Sequence, residues 1–333
     1  MIPPEPRLNP DLFGHEAAEA ILAEAARSGR MHHGWLLAGP EGIGKATLAF
    51  RFARWLLAGL PAGPGLYLPP GDPVFRRVAA AGHADLRDFA PNTGDKGVKL
   101  LIRVEEIRAV PRFLSLTPAE GGHRVVLIDG VESMPQDAQN ALLKTLEEPP
   151  ARAVLLLVSS APDRLLPTIR SRVRRLDLHP LPPPLLTELL GRWLPEMPAA
   201  EREVLARIAD GAPGQALGLA EGEGLELQGE VDAFLRALPR PDPRALHALA
   251  DRLAAKRDGS SFVTFIALLR RSMAGALREA ARGRGGAPWI GARPLAEWAS
   301  LWDMLGRLGQ ETETLTLDRK QAVLTGLSRL AER

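Results

Sequence analysis

Residues 35–47 read WLLAGPEGIGKAT, and this stretch decides the fold. Trp35-Leu36-Leu37-Ala38 is a short apolar run of the kind that forms a buried strand. It enters a glycine-rich turn, and the turn opens an amphipathic stretch with Leu48, Ala49, Phe52, Ala53, Leu56 and Leu57 on one helical face. Arg51 and Arg54 fall off that face by the 3.6-residue period. Strand, glycine turn and helix in this order make a phosphate cradle. Gly39, Gly42 and Gly44 let backbone N–H groups turn inward, the helix presents its positive end, and Lys45 reaches the β- and γ-phosphates. A glycine-rich turn without a ligand is the alternative. The position after the lysine, normally Ser or Thr for magnesium, is Ala46. Thr47 follows, but one residue along a helix rotates a side chain by about 100°.

Outward from the loop, apolar runs continue to alternate with helical patterns, as in a parallel α/β sheet. Val125-Val126-Leu127-Ile128 is a second strand, ending on Asp129, which is placed to hold Mg²⁺ directly or through water. Ser133 stands three residues before Gln136, a capping-box spacing, with Pro135 in the first turn. A helix over 136–146 follows and stops at Pro149-Pro150. Ala153 to Val158 is a third strand, closed by Ser159-Ser160-Ala161-Pro162. Residues 59–72 (GLPAGPGLYLPPGD) are too rich in Pro and Gly to be anything but a loop.

Beyond the proline cluster 180–184 the strand signals vanish. Helices are expected at 185–194 and 201–210, then, after an acidic glycine-rich linker at 221–224, in a longer set. Leu246, Leu249 and Leu253 mark one, Phe262, Phe265, Ile266, Leu269 and Met273 another, Trp298, Trp302 and Leu305 a third, and Val323, Leu327 and Leu330 the last. Gly283 to Pro288 is a connector within this set. The outline is an α/β nucleotide-binding-type domain over 1–180, a small helical lid over 181–222 and an all-α domain over 223–333.

The 333 residues are 45% hydrophobic and 25% charged, with 42 Lys and Arg against 40 Asp and Glu. A surplus of two positive charges does not predict a dedicated nucleic-acid surface. The basic pair Lys96 and Lys99 and the run Arg170, Arg172, Arg174 and Arg175 would face phosphates or simply be solvated. With no cysteine, disulfides, thiol catalysis and cysteine-ligated zinc are excluded. No signal peptide or membrane-length apolar run is visible, so a cytoplasmic protein with no membrane partner is expected.

Four segments carry a specific resemblance: GPEGIGKAT (39–47), HRVVLIDGVESM (123–134), NALLKTLEEPP (140–150) and LLLVSSAPDRLLPTIRSR (155–172). In order and spacing they resemble the clamp-loader AAA+ subunits over about residues 9–180, while the last third matches only in helical character. The resemblance implies a P-loop, RecA-like parallel sheet, a helical lid and a helical C-terminal collar for oligomerisation. It also implies three catalytic parts in active members. A hydroxyl follows the loop lysine, a glutamate follows the strand-end aspartate, and the lid carries a sensor arginine. Here those positions hold Ala46, Gly130 and, in DGAPGQAL (210–217), Gly214. Glu132 lies two residues beyond Gly130 and reads as a solvated turn residue. Ser159 and Ser160 fall where the family keeps its first nucleotide sensor, or serve as turn formers. The IRSR segment (169–172) is similar to the family's Ser-Arg-Cys motif, with Val173 in place of the cysteine. That implies Arg172 as an arginine finger donated in trans to ATP on a neighbour, with Arg170 the rival and a plain salt bridge the bland reading. The family's four-cysteine zinc module is absent, and residues 59–72 stand in its place.

The losses point to the delta-prime type, a stator with absent or very weak ATPase of its own. As an accessory subunit of a polymerase holoenzyme it would help load the sliding clamp onto primed DNA. ATP binding would be weak or vestigial at Gly39, Gly42, Gly44, Lys45, Thr47, Asp129 and Ser160, with magnesium doubtful and no zinc. Its partners would be gamma/tau-type motor and delta subunits, the sliding clamp and primer–template DNA. An active gamma/tau-like motor or helicase loader is the second reading, and a small-substrate P-loop kinase the third.

Overall fold

The computed structural model describes residues 2–91, 102–284 and 287–332. They fall into two compact units, one of 2–91, 102–202 and 209–215, the other of 203–208, 216–284 and 287–332. Lys96 and Lys99, and Gly285 and Gly286 of the connector, lie outside the described residues.

The first unit alternates helix and strand. Helix α1 (Glu16–Arg27) precedes β1 (Gly34–Ala38), the glycine turn and α2 (Lys45–Leu57). Helix α3 (Pro73–Ala79) leads to β2 (Leu86–Phe89), and α4 (Val104–Arg108) with α5 (Val110–Ser115) leads to β3 (Arg124–Asp129). Helix α6 (Gln136–Glu147) leads to β4 (Ala153–Ser159), and α7 (Pro167–Arg170) to β5 (Arg174–Asp177). All pairings are parallel, in the order β2-β3-β4-β1-β5. The three strands with unbroken apolar runs, β1, β3 and β4, are therefore central. Alternation along them feeds two cores. Trp35, Leu37, Leu127 and Leu156 face α1 and α2, while Leu36, Val126, Ile128 and Leu157 face the α4–α7 side. This is the α/β fold class expected from the sequence.

Two readings need correction, and one gains a detail. Arg51 and Arg54 lie off the apolar face as expected, but they are buried, because the N-terminal segment covers that side of α2. Arg54, 1% exposed, donates to the carbonyls of Arg7 and Asn9 and stacks on Phe75. Burial and the neighbouring Arg51 push its pKa down to about 10. Arg51 pairs with Glu19 at 2.7 Å. The capping box at Ser133 does not form. Ser133 closes a 3₁₀ turn, Val131–Ser133, and its Oγ donates to Gly130 O at 2.7 Å, while Pro135 takes the N-cap without a side-chain bond. The edge strands β2 (LRDF) and β5 (RRLD) escaped notice because charged residues occupy half or more of each.

The loop over 59–72 is ordered by apolar anchors. Leu66 and Leu68 are buried in the α1/α2 core, Trp55 Nε1 donates to Pro61 O at 3.0 Å, and Asp72 caps α3. Among the described residues no group of three or more His, Asp or Glu side chains is arranged to hold a metal.

The helices that follow are α8 (Pro183–Trp193), α9 (Ala199–Ile208), α10 (Pro213–Glu221), α11 (Gly224–Ala237), α12 (Pro243–Ala255), α13 (Ser260–Ala281), α14 (Leu295–Thr314) and α15 (Arg319–Ala331). In the second unit Phe262, Phe265 and Trp298 are at most 1% exposed, so these aromatics form its core. Trp298 meets Trp289 edge-on and donates to Ile290 O, whereas the half-buried Trp302 is covered by the Arg270 guanidinium. No helix among the described residues is long and apolar enough to cross a membrane.

Candidate nucleotide site and a distal arginine

Parallel pairing sets Ala38 beside Ser159 and Asp129 beside Val158, so the turns after β1, β3 and β4 meet at one end of the sheet. Gly39, Lys45, Asp129 and Ser160 are brought together there. Gly39, Gly42 and Gly44 take φ of 149°, 79° and 104°, so the cradle has the left-handed backbone its glycines permit. Lys45 is buried, and its ammonium is held by the loop itself. Nζ donates to Gly39 O at 2.8 Å, Pro40 O at 2.6 Å and Ser160 Oγ at 2.9 Å. The Nζ–H groups given to them are the donors a phosphate would need.

The two serines divide the roles left open for them. Ser159 Oγ accepts from Ala161 N–H and shapes the turn, while Ser160 holds Lys45. Thr47 is buried on the first turn of α2, and Ala46 supplies no oxygen, so the hydroxyl expected of a magnesium ligand is missing. Gly130 has φ of 71°, a conformation that strains any residue with a Cβ. The glycine that replaces a glutamate thus starts the 3₁₀ turn. This turn carries Glu132 back into the site, where its Oε1 accepts from Ser160 N–H at 2.9 Å. Glu132 is therefore not a solvated turn residue. Its spacing from Asp129 gave no hint, because the turn depends on Gly130.

Two further contacts were not legible beforehand. The start of α10 seals the loop: Gly214 N–H donates to Gly42 O at 2.8 Å, and Gln215 Nε2 donates to Glu41 O at 3.1 Å. The approach is so close that a Cβ on Gly214 would lie 3.1 Å from Gly42 Cα. A sensor arginine there would displace this contact. On the other flank, buried His15 donates from Nε2 to Ile43 O at 2.7 Å. Burial lowers its pKa against the opposing pull of that bond and of Glu16 and Glu19.

Arg172 is not in this site. It precedes β5, whose Arg174 pairs with Trp35 at the start of β1, and the phosphate loop leaves the other end of β1. Five strand residues separate the two ends by about 13 Å, so Arg172 cannot serve its own loop. Its guanidinium is partly exposed, donates to Thr168 O at 3.0 Å and pairs with Glu147 at 2.9 Å. Arg170 pairs with Asp163 at 3.1 Å.

The family model described as DNA polymerase III, delta subunit, matches residues 14–182. The chain belongs to this family. It is 39% identical over 212 residues to DNA polymerase III subunit delta' of Pseudomonas aeruginosa, covering 63% of this chain and 62% of that protein. To the subunit delta' of Escherichia coli it is 35% identical over 206 residues, covering 61% of this chain and 58% of that one. The subunit tau of Salmonella typhimurium is 32% identical over 244 residues, or 70% of this chain and 36% of its own length. The chain thus matches about three-fifths of the length of the two delta' relatives. The family match ends near the last strand of the sheet, so it spans both the sealed loop and Arg172.

Proposed function

We propose that this chain is a delta-prime-type clamp-loader subunit: a stator that joins motor and delta subunits and serves a neighbour's ATP rather than its own. The observation that carries the reading is the closed phosphate loop, with Lys45 bound to loop carbonyls and Gly42 bonded to Gly214. It is supported by the absence of a magnesium hydroxyl at Ala46 and of an acid at Gly130, without which in-line attack on the γ-phosphate has a poorly held metal and no oriented water. ATP would bind weakly and with little dependence on magnesium. Arg172, on the far end of the sheet, is the group left to act in trans on ATP held by an adjacent motor. The sliding clamp and primer–template DNA would be partners of the assembly.

The test is hydrolysis by the purified chain, alone and reconstituted with motor and delta subunits. Alone it should not exceed background, and reconstitution should give a complex with DNA-stimulated ATPase. Turnover by the isolated chain at the rate of a motor subunit would establish the motor reading instead.

A further inference from the structure

The chemistry around Ser160 goes beyond a site that has merely lost parts. Ser160 sits at the phosphate end of the cradle, since its Oγ accepts from Lys45 Nζ at 2.9 Å. Its backbone N–H, the donor next to that hydroxyl, is given to Glu132 Oε1 at 2.9 Å. The other carboxylate oxygen, Oε2, is buried and has no hydrogen-bond partner among the described residues. Glu132 is half-buried and Ser160 exposed, so the carboxylate is only partly desolvated, and an oxygen left without a partner there still costs stability. The ammonium of Lys45 is bonded to the same serine from which Glu132 accepts. The three hydrogen bonds of Lys45 fix it in the loop, where Glu132 and the ammonium are bridged by the same residue.

We propose that Glu132 is a built-in anion that occupies the place of a terminal phosphate, and that it excludes nucleoside triphosphate from this loop. A γ-phosphate entering the cradle would need the Ser160 N–H and the Lys45 ammonium. It would meet a carboxylate already holding the first and an ammonium already bonded to Gly39 O, Pro40 O and Ser160 Oγ. Two anions competing for the same donors in a partly desolvated site repel one another. The selectivity follows from position. The Gly39–Gly44 turn contacts the inner phosphates and Glu132 lies at the outer end, so exclusion bears on the third phosphate more than on the first two. Gly130 is part of the device, because its left-handed backbone turns Val131–Ser133 so that Glu132 points inward. This assignment rests on reading the glycine loop as a phosphate cradle, as in the proposed function.

Calorimetric titration of the full-length chain with ATP, ADP and inorganic tripolyphosphate tests it. Glu132→Gln keeps an acceptor for Ser160 N–H but removes the charge, and Glu132→Ala removes both. Both should bind ATP and tripolyphosphate at least about tenfold more tightly than the parent chain, about 1.4 kcal/mol, while ADP gains much less. Adding Lys45→Ala should abolish the gain, because the freed ammonium is what receives the phosphate. Thermal melts show whether each variant is folded. If either folded variant binds ATP no better than the parent, or binds ADP and ATP with equal gains, the surrogate role is wrong. Assembly of the same variants with motor and delta subunits separates the two claims. A variant that assembles normally without gaining ATP affinity defeats Glu132 and leaves the stator reading standing. A parent chain that binds ATP tightly and turns it over defeats the stator reading itself.

Discussion

The two ends of the central sheet are built to opposite plans. At the end where β1 gives way to the glycine turn, most polar groups are paired within the chain, Glu132 Oε2 being an exception. Lys45 goes to loop carbonyls and Ser160, Glu132 to Ser160, Gly42 to Gly214 and His15 to Ile43. At the end where β1 begins, Arg172 is partly exposed and held by one carbonyl, one hydroxyl and one exposed carboxylate. Backbone hydrogen bonds and buried charges are expensive to break, whereas an exposed ion pair is worth about 0–1 kcal/mol. One end is therefore fixed, and the other holds a guanidinium that a better anion can take over at small cost. The difference teaches that a phosphate-type loop without a magnesium hydroxyl can have most of its polar groups paired within the chain.

The largest expected effect comes from removing the group at the open end. Arg172→Ala should lower ATP turnover at the adjoining motor site by about 10³ or more, as for arginine fingers generally. Total ATPase of the assembly would fall only by that site's share, because other sites remain. Complex formation, followed by gel filtration, should be unchanged, and Arg170→Ala should do less, since its partner Asp163 keeps it near its own turn. Unaltered single-site turnover in an intact Arg172→Ala complex would reduce the open end to a surface salt bridge.

At the closed end the expected effects are on stability. Gly42→Ala combines a φ of 79° with a Cβ placed 2.8 Å from Gln215 N, a backbone atom that cannot swing aside. It should cost about 1–3 kcal/mol in urea unfolding. Gly29→Ala is the control for strain alone, with φ of 67° and nothing within 4 Å. Gly34→Ala, at the open end, meets only the side chains of Leu146 and Val173 within 3.2 Å, which can adjust, and should be milder than Gly42→Ala. Equal costs for Gly42→Ala and Gly29→Ala would mean that the seal by α10 contributes nothing.

The asymmetry also marks what sequence could and could not disclose. The cradle, the three central strands and the C-terminal helices announce themselves through periodicity and glycine spacing, which are local properties. Arg172 was singled out because the segment containing it resembles a family motif, and its action in trans is a proposal. The seal was not, since Gly42 and Gly214 stand far apart in the chain and a glycine carries no pattern that names its partner. Glu132 was misread for a related reason: whether a carboxylate in a turn points to water or inward depends on the backbone handedness of Gly130. The burial of Arg51 and Arg54 was not legible because helical period says which residues share a face, not what covers the opposite one. Here the N-terminal segment covers it, using carbonyls of Arg7, Asn9 and Pro10.

The smallest effect is a pH dependence that weighs the two ends against each other. His15 is buried at the loop end, donating from Nε2 to Ile43 O, and His33 stands at the other, donating from Nε2 to Leu146 O at 3.0 Å. Burial lowers the pKa of both from 6.5, with a further push from His179 on the first and from His32 on the second. The unfolded chain therefore takes up the proton more readily than the native one. Stability from these groups is complete above about pH 6.5 and is lost as pH falls through the lower folded-state values. His83 and His123 are shifted in the same direction, again chiefly by burial, and add a common background. Only the two ends differ. His15 is 5% exposed beneath the loop and bonded to Ile43 O, whereas His33 stacks on His32 at a half-buried margin. Urea midpoints measured from pH 7.5 to pH 5 should fall with acidity in the parent chain. His15→Gln, which keeps a donor for Ile43 O, should flatten that fall more than His33→Gln does. If His33→Gln instead removes most of the acid sensitivity, the margin around Arg172 is the tightly closed one, and the contrast between the two ends is reversed.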